Sequence, residues 1–319
     1  MHGLLSVLLK KISKRKVPGG IGLDELDDAA TIPFGDEQIV FTTDSFVVKP
    51  VFFPGGDIGK LAMCGTINDL SVMGAKPIAI SSAFVIGEGF SMENLKKIVA
   101  SMDKVSRETD TPIITGDTKV VEGDIGIIVN TAGLGTTRKA IPDSGLKPGD
   151  RIIVNGPVGD HGIAVMAHRE GIRFETCLKS DCAPLWPLIK KILKYEISAM
   201  KDPTRGGLAS ALNEMARKAK VEVVIDEESI PVRKEVLAAS EMLGIDPLTV
   251  ANEGKVLIGV SERDAEKVLR TIKKSRYGRG ARIIGEVKKK GGGRVILRTS
   301  VGGERILEAP AGDPVPRVC

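Results

Sequence analysis

QIVFTTDSFVV (38–48), PGGDIGKLAMCGTINDLSVM (54–73) and IAISSAFVI (78–86) form the run that decides the fold. The first and third pieces are rich in Val, Ile, Phe and Thr, residues that suit a pleated, half-buried surface. The middle piece leaves a Gly-Gly-Asp turn and sets Ile58, Leu61, Ala62, Leu70 and Met73 at helical spacing. Strand, helix and strand in direct succession make this an α/β chain.

The alternation continues outward. Ser91 caps a helix whose apolar stripe is Leu95, Ile98, Val99, Met102 and Val105. Residues 112–115 and 125–132 read as strands, and the second, IGIIVNTA, is apolar enough for a strand covered on both faces. The turn-rich IPDSGLKPGD (141–150) marks a domain boundary. Beyond it, strands are expected at 151–155, 221–225, 256–260, 282–287, 294–298 and 304–308, and helices at 163–169, 185–195, 207–219 and 263–274. This gives an N-terminal domain (1–145), a C-terminal α/β domain (146–300) and a mobile tail (301–319). No short internal repeat is present.

Composition narrows the function. Of 319 residues, 42% are hydrophobic and 27% charged, which is ordinary for a soluble globular protein. Only 3% are aromatic, so there is no platform for stacking single-stranded bases. The net charge of +5 is modest; the cluster Lys10 to Lys16 reads as a helix face, and Lys288-Lys289-Lys290 beside Gly291-Gly292-Gly293 as a hairpin tip. Nucleic acid is therefore not expected as a partner, and no run is long and apolar enough to span a membrane. Cys64, Cys177, Cys182 and Cys319 form neither a metal pattern nor a disulfide framework, which places the protein in the cytoplasm, with Cys64 as a core residue.

Two features carry chemistry. The first is the end, Pro314-Val-Pro-Arg-Val-Cys319: prolines keep it extended, and a thiol there is placed to be handed into an active site. Ten extended residues reach about 33 Å, enough for an exposed and an inserted position. The second is a set of aspartates beside Gly, Thr or Asn at element ends: Asp27-Asp28, Asp44, Asn68-Asp69, Asp117-Thr118-Lys119 and Asp202. Mg²⁺ takes carboxylates together with phosphate oxygens and water, so this set points to Mg-nucleotide, although each aspartate taken singly also reads as a cap or turn residue. Phe53-Pro-Gly-Gly-Asp57 leads into a helix and reads either as a phosphate cradle or as a turn capped by Asp57. There is no P-loop and no well-placed GxGxxG. Lys201 to Arg205 can reach an anion, with Arg205 as a clamp, or serve structure alone. His161 and His168 share one helical face and read as structural.

Taken together, LDDAATIPFGD (26–36), the segment 42–77, TGDTKVVE (115–122), GDHGIAVMAHREG (159–171), KDPTRGGLASALNE (201–214), ANEGK (251–255) and PVPRVC (314–319) resemble the family of AIR synthetase, thiamine-monophosphate kinase and selenophosphate synthetase. The terminal cysteine resembles its HypE branch, the hydrogenase maturation proteins. The resemblance implies two α/β domains, with the N-terminal domains pairing through a shared β-barrel into a homodimer. It implies ATP near that pairing and Mg²⁺ on Asp28, Asp44, Asp69 and Asp117; Asn68, Thr118 and Arg205 are the further candidates for binding the nucleotide. It also implies an activity: the carbamoyltransferase HypF loads a carbamoyl group on Cys319, ATP-dependent dehydration turns it into a thiocyanate, and the cyano group passes to iron on HypC–HypD. Glu253 is then the matched base, alone or with Lys119, which would also neutralise charge on the transferring phosphoryl group; without the resemblance, Glu253 reads as a cap or ion-pair residue and Lys119 as a surface lysine. The family usually carries a glycine-rich segment and a helix ahead of the region matching Gly19-Gly20; the start Met1-His-Gly-Leu4 is shorter, so a truncated or divergent start and a different closure are expected.

Two other readings make different predictions. A kinase or ligase acting on a free metabolite would not need Cys319. A maturation scaffold would release no phosphate.

Overall fold

A computed structural model describes residues 9, 11–172, 178–312, 314–315 and 318. Cys177 and Cys319 lie outside them.

The opening run folds as read. Strand β2 (Glu37–Phe46) leads through the short β3 (Phe52–Phe53) and β4 (Gly56–Asp57) into helix α1 (Ile58–Val72) and out along β5 (Lys76–Gly87). The turn reading of Asp57 holds: its Oδ1 accepts from Gly59 N at 2.8 Å and Lys60 N at 3.1 Å, so the cap occupies the helix start that a phosphate would need. Ile58, Leu61, Ile67 and Leu70 are wholly buried, each contributing roughly 1.5–3 kcal/mol of burial. Ser91 caps α2 (Met92–Thr109), which packs on α1.

With β1 (Ala30–Phe34), β6 (Ile113–Val121) and β7 (Ile127–Thr137), these strands form a five-stranded sheet of order β1-β2-β7-β5-β6, antiparallel except for β5·β6. Strand β7 departs from expectation. Its burial alternates, because α1 covers one face while Ile128, Asn130, Ala132 and Leu134 are left half-covered or exposed on the other.

The second sheet has seven strands, β14-β13-β10-β12-β8-β11-β9: β8 (Arg151–Val154), β9 (Ile197–Lys201), β10 (Val221–Asp226), β11 (Leu257–Val260), β12 (Arg282–Lys290), β13 (Arg294–Arg298) and β14 (Glu304–Ile306). Its helices are α3 (Asp160–Arg169), α4 (Trp186–Ile189), α5 (Gly207–Ala219), α6 (Lys234–Leu243) and α7 (Glu262–Lys273). Two expectations are corrected here. The helix expected over 185–195 is the single turn α4 followed by turns, with Pro187 in its first turn. Gly291 to Gly293 do not tip a hairpin, for β12 and β13 lie on opposite sides of β10. All three glycines have positive φ, which lets the chain cross the end of β10.

One face of this sheet packs on α5, through Leu208, Leu212 and Met215. The other packs on α4 and α7, through Leu188, Val268 and Ile272. The largest apolar cluster joins the halves: α1 and α2 meet α3, Val250 and, from the tail, Val315 and Val318.

Candidate active site

The first sheet and the β9–α5 connection face each other across a cavity of about 270 Å³. It is lined by Asp28, Asp44, Ser45, Asp69, Asp202, Thr204, Arg205 and Glu253, with Phe46 and Gly65. Asp44 comes from β2 and Asp69 from the last turn of α1; Asp202 to Arg205 follow β9, where positive φ at Gly206 and Gly207 swings the chain into α5.

Charge in this cavity is under strain. Burial, then Asp44, Asp202 and Asp28, push the Asp69 carboxyl well above the carboxylate range; its Oδ2 accepts from Thr42 Oγ1 at 2.8 Å. Burial and then Asp28 do the same to Asp202. Lys201 Nζ lies 2.5 Å from Asp28 Oδ1, 3.4 Å from Asp143 and 3.5 Å from Glu214. Burial works against charge on Lys201, but these three carboxylates keep it the cation. Asp28 Oδ2 is buried without a partner.

Among the described residues, no three Asp, Glu, His or Cys side chains converge into a ready ligand set for an ion. An orphaned carboxylate oxygen and carboxylates that raise one another's pKa nevertheless fit a divalent cation completed by phosphate oxygens and water, as Mg²⁺ is commonly held. Of the aspartates expected to hold it, Asp28, Asp44 and Asp69 line this cavity.

Glu253 is 3% exposed, and its Oε1 has no partner. Burial, then Cys182, Asp202, Asp181 and Asp44, push its carboxyl well above the usual range. Its segment is clamped from several sides. Asp181 accepts from Glu253 N and Gly254 N, both at 3.1 Å, and from Lys255 Nζ at 2.8 Å. A side chain at Gly254 would put its Cβ 2.0 Å from the Asp181 carbonyl oxygen, so glycine is required for this approach. Asn252 joins three motifs: its Oδ1 accepts from Gly159 N at 2.8 Å and its Nδ2 donates to Pro203 O at 3.0 Å.

The remaining expected residues divide. Arg205 lines the cavity. Asn68 does not turn its amide to a ligand: Nδ2 donates to Ala183 O at 3.1 Å and Glu253 O at 3.3 Å, and Oδ1 accepts from Leu185 N at 2.8 Å. It holds the Glu253 segment on α1. Lys201, read as able to reach an anion, is spent on its three carboxylates. Asp117, Thr118 and Lys119 sit on exposed β6, away from the carboxylate cavity. Lys119 Nζ pairs with Asp117 at 2.7 Å, and that bond holds the Asp117 carboxyl below its ordinary range. Asp117 and Thr118 border a separate hollow of about 580 Å³ with Ser82, Phe84 and Met102. One chain therefore does not bring Asp117 to the other aspartates, nor Lys119 to Glu253.

Sequence reading passed over Asp181 and Lys255, whose roles depend on a segment folded back from far along the chain. It also treated two histidines alike. His161 is wholly buried while His168 is exposed, because α3 leaves the core only at its last two residues.

The chain matches the AIR synthase related protein family along both of its domains, the N-terminal domain over residues 26–137 and the C-terminal domain over 147–298. A carbamoyl dehydratase HypE of Cupriavidus necator is 44% identical over 92% of this chain and 85% of its own length. HypE in a crystallised HypE–HypF complex superimposes with a TM-score of 0.89 at 44% identity, over 96% of this chain and 99% of that one. A hydrogenase maturation protein HypE solved in complex with ATP gives 0.86 at 39% identity, over 93% and 91%. Two matched domains, and identity of this order along nearly the whole chain, settle the kinship: the chain belongs to the AIR synthase-related family and, within it, to the HypE group.

Proposed function

We propose that this protein is an ATP-dependent carbamoyl dehydratase that converts an S-carbamoyl group on its own Cys319 to a thiocyanate, the source of a cyanide ligand for nickel–iron hydrogenase assembly. The observation that carries the reading is Glu253: a buried carboxyl with an orphaned oxygen, clamped by Asp181 and Asn68, at the wall of a carboxylate cavity suited to nucleotide.

The carbamoyl oxygen attacks the γ-phosphorus of ATP and ADP leaves. The C–N bond becomes C=N as the oxygen is phosphorylated, and a nitrogen proton is lost. Loss of the second nitrogen proton and departure of phosphate leave S–C≡N. Glu253, pushed up by burial, is a stronger acceptor for such a proton than an exposed glutamate. Arg205 is placed to steady phosphate oxygens. Mg²⁺, on Asp28, Asp44 and Asp69, supplies charge neutralisation for the triphosphate when bound.

The carbamoyl donor is HypF, by the kinship with the HypE that crystallised with it. An iron-bearing HypC–HypD complex is the acceptor, and the cytoplasm the setting; no helix among the described residues is long and apolar enough to cross a membrane. The working form is a homodimer paired through β6, whose Ile114 (66% exposed) and Val120 (64%) need cover. The tail moves between an exposed position for loading and an inserted one that keeps water from the activated intermediate.

Phosphate release tests this reading. The carbamoylated protein should release phosphate in proportion to its adduct, and Cys319→Ala none. ATP turnover in Cys319→Ala on a free metabolite would favour a small-molecule kinase.

A further inference from the structure

We propose that His161 is the positioning residue that seats the C-terminal tail for dehydration, by gripping the peptide carbonyl of Val318. The proposal rests on the dehydratase reading above and assigns a role that reading leaves open.

His161 lies in the first turn of α3, wholly buried. Its Nε2 lies 2.7 Å from Val318 O and its Nδ1 2.7 Å from Ser180 Oγ. The Val318 carbonyl fixes the tautomer. A carbonyl oxygen can only accept, so Nε2 carries the proton and the ring donates to Val318 O. In the neutral ring Nδ1 is then the acceptor, and it takes the hydrogen of Ser180 Oγ, which itself accepts from Cys182 N at 3.0 Å.

Each partner is braced. The Phe53 ring stands edge-on to the imidazole, centroids 5.5 Å apart. Ser180 N donates to Pro54 O at 2.8 Å, and a Cβ on Gly55 would come within 2.8 Å of Ser180 O, so the β3–β4 turn closes directly over this segment. Val315 and Val318 are buried in the cluster that also holds Phe53 and Ile163. The tail is thus docked by two apolar side chains and one directed hydrogen bond. That bond falls one residue before the thiol-bearing one, and consecutive Cα atoms are about 3.8 Å apart, so it restricts where the thiol can stand. The charged groups facing the ring are Asp181 and Lys60. Burial, the larger influence, keeps the imidazole neutral, the form this bonding pattern needs.

The test uses three variants of the full chain, loaded with the carbamoyl group by the carbamoyltransferase. His161→Phe keeps a ring but loses the donor, His161→Gln keeps a donor, and Ser180→Ala removes the hydroxyl that supports the Nε2–H tautomer. Readouts are single-turnover dehydration and iodoacetamide alkylation of uncarbamoylated protein, localised by peptide mass. Buried Cys64 and Cys182 report folding. Loss of one buried hydrogen bond predicts about tenfold faster alkylation of Cys319 and about tenfold slower dehydration in His161→Phe, with carbamoylation not slowed. His161→Gln should recover much of both. Wild-type rates in His161→Phe, or equal loss in Phe and Gln, would overturn the proposal. If His161→Phe exposes Cys64, Ser180→Ala decides: faster Cys319 alkylation supports the grip and an unchanged rate overturns it. If the wild-type adduct never loses water, the dehydratase reading fails, and the alkylation comparison still decides the grip.

Discussion

Lys201, at the end of β9 in the second sheet, holds Asp28, which precedes β1 of the first, with 2.5 Å between Nζ and Oδ1. Both side chains are nearly sealed from water, and Asp143 shares the same ammonium at 3.4 Å. Removing one partner of a buried ion pair leaves the other uncompensated, at about 3–5 kcal/mol. Lys201→Met should lower unfolding free energy by that order in denaturant titration, with loss of activity. A change within error would mean that water or rearrangement compensates Asp28.

Glu253 invites an isosteric exchange. The bonds of its segment to Asp181 and Asn68 use main-chain atoms, so Glu253→Gln should keep the segment in place. ATP affinity should stay unchanged while single-turnover dehydration falls by about 10²-fold or more. Loss of ATP binding in step with dehydration would point to a structural role instead.

Asp27 sets a pH dependence. Burial, then Asp28 and Asp143, raise its carboxyl from 3.8 to about 7, against the pull of Lys218 and Lys201. Between those values the folded state holds the proton and the unfolded state does not, so the contribution of Asp27 to stability is fullest below the lower value and is lost as pH rises. Unfolding midpoints of wild type and Asp27→Asn, compared from about pH 4 to about pH 7, should diverge steadily in favour of the variant. A constant difference would contradict the raised pKa.

Strand β6 is exposed along almost its whole length and lies at a sheet edge. Unpaired edges invite pairing with another chain. Ile114→Lys together with Val120→Lys should shift sedimentation from dimer to monomer. A wild type that sediments as a monomer at micromolar concentration would contradict pairing through β6.

Local chemistry was legible in the sequence. Asp57 and Ser91 announce the starts of α1 and α2, and the apolar spacing of Ile58 to Leu70 announces a buried helix. The nearness of Asp28, Asp44 and Asp69 was foreshadowed by their positions at element ends. What stayed hidden depends on contacts between distant segments. Asn68 looks like a ligand beside Asp69, yet Ala183, Leu185 and Glu253 close around its amide. Asp117 carries the same Gly-Asp-Thr look as a metal site, but the parallel β5·β6 pairing sets it on an exposed edge. IGIIVNTA reads as doubly covered because composition does not tell which sheet face a helix will cover. His161 and His168 share a helical stripe, and only packing separates the buried ring from the exposed one.

The most direct test is the mass of the intact protein after carbamoylation by HypF, with and without Mg-ATP, beside Cys319→Ala. The account predicts an adduct on wild type alone, which loses the mass of one water only when ATP is present. An adduct that keeps its full mass with ATP, or loses water equally without it, would contradict ATP-dependent dehydration on Cys319.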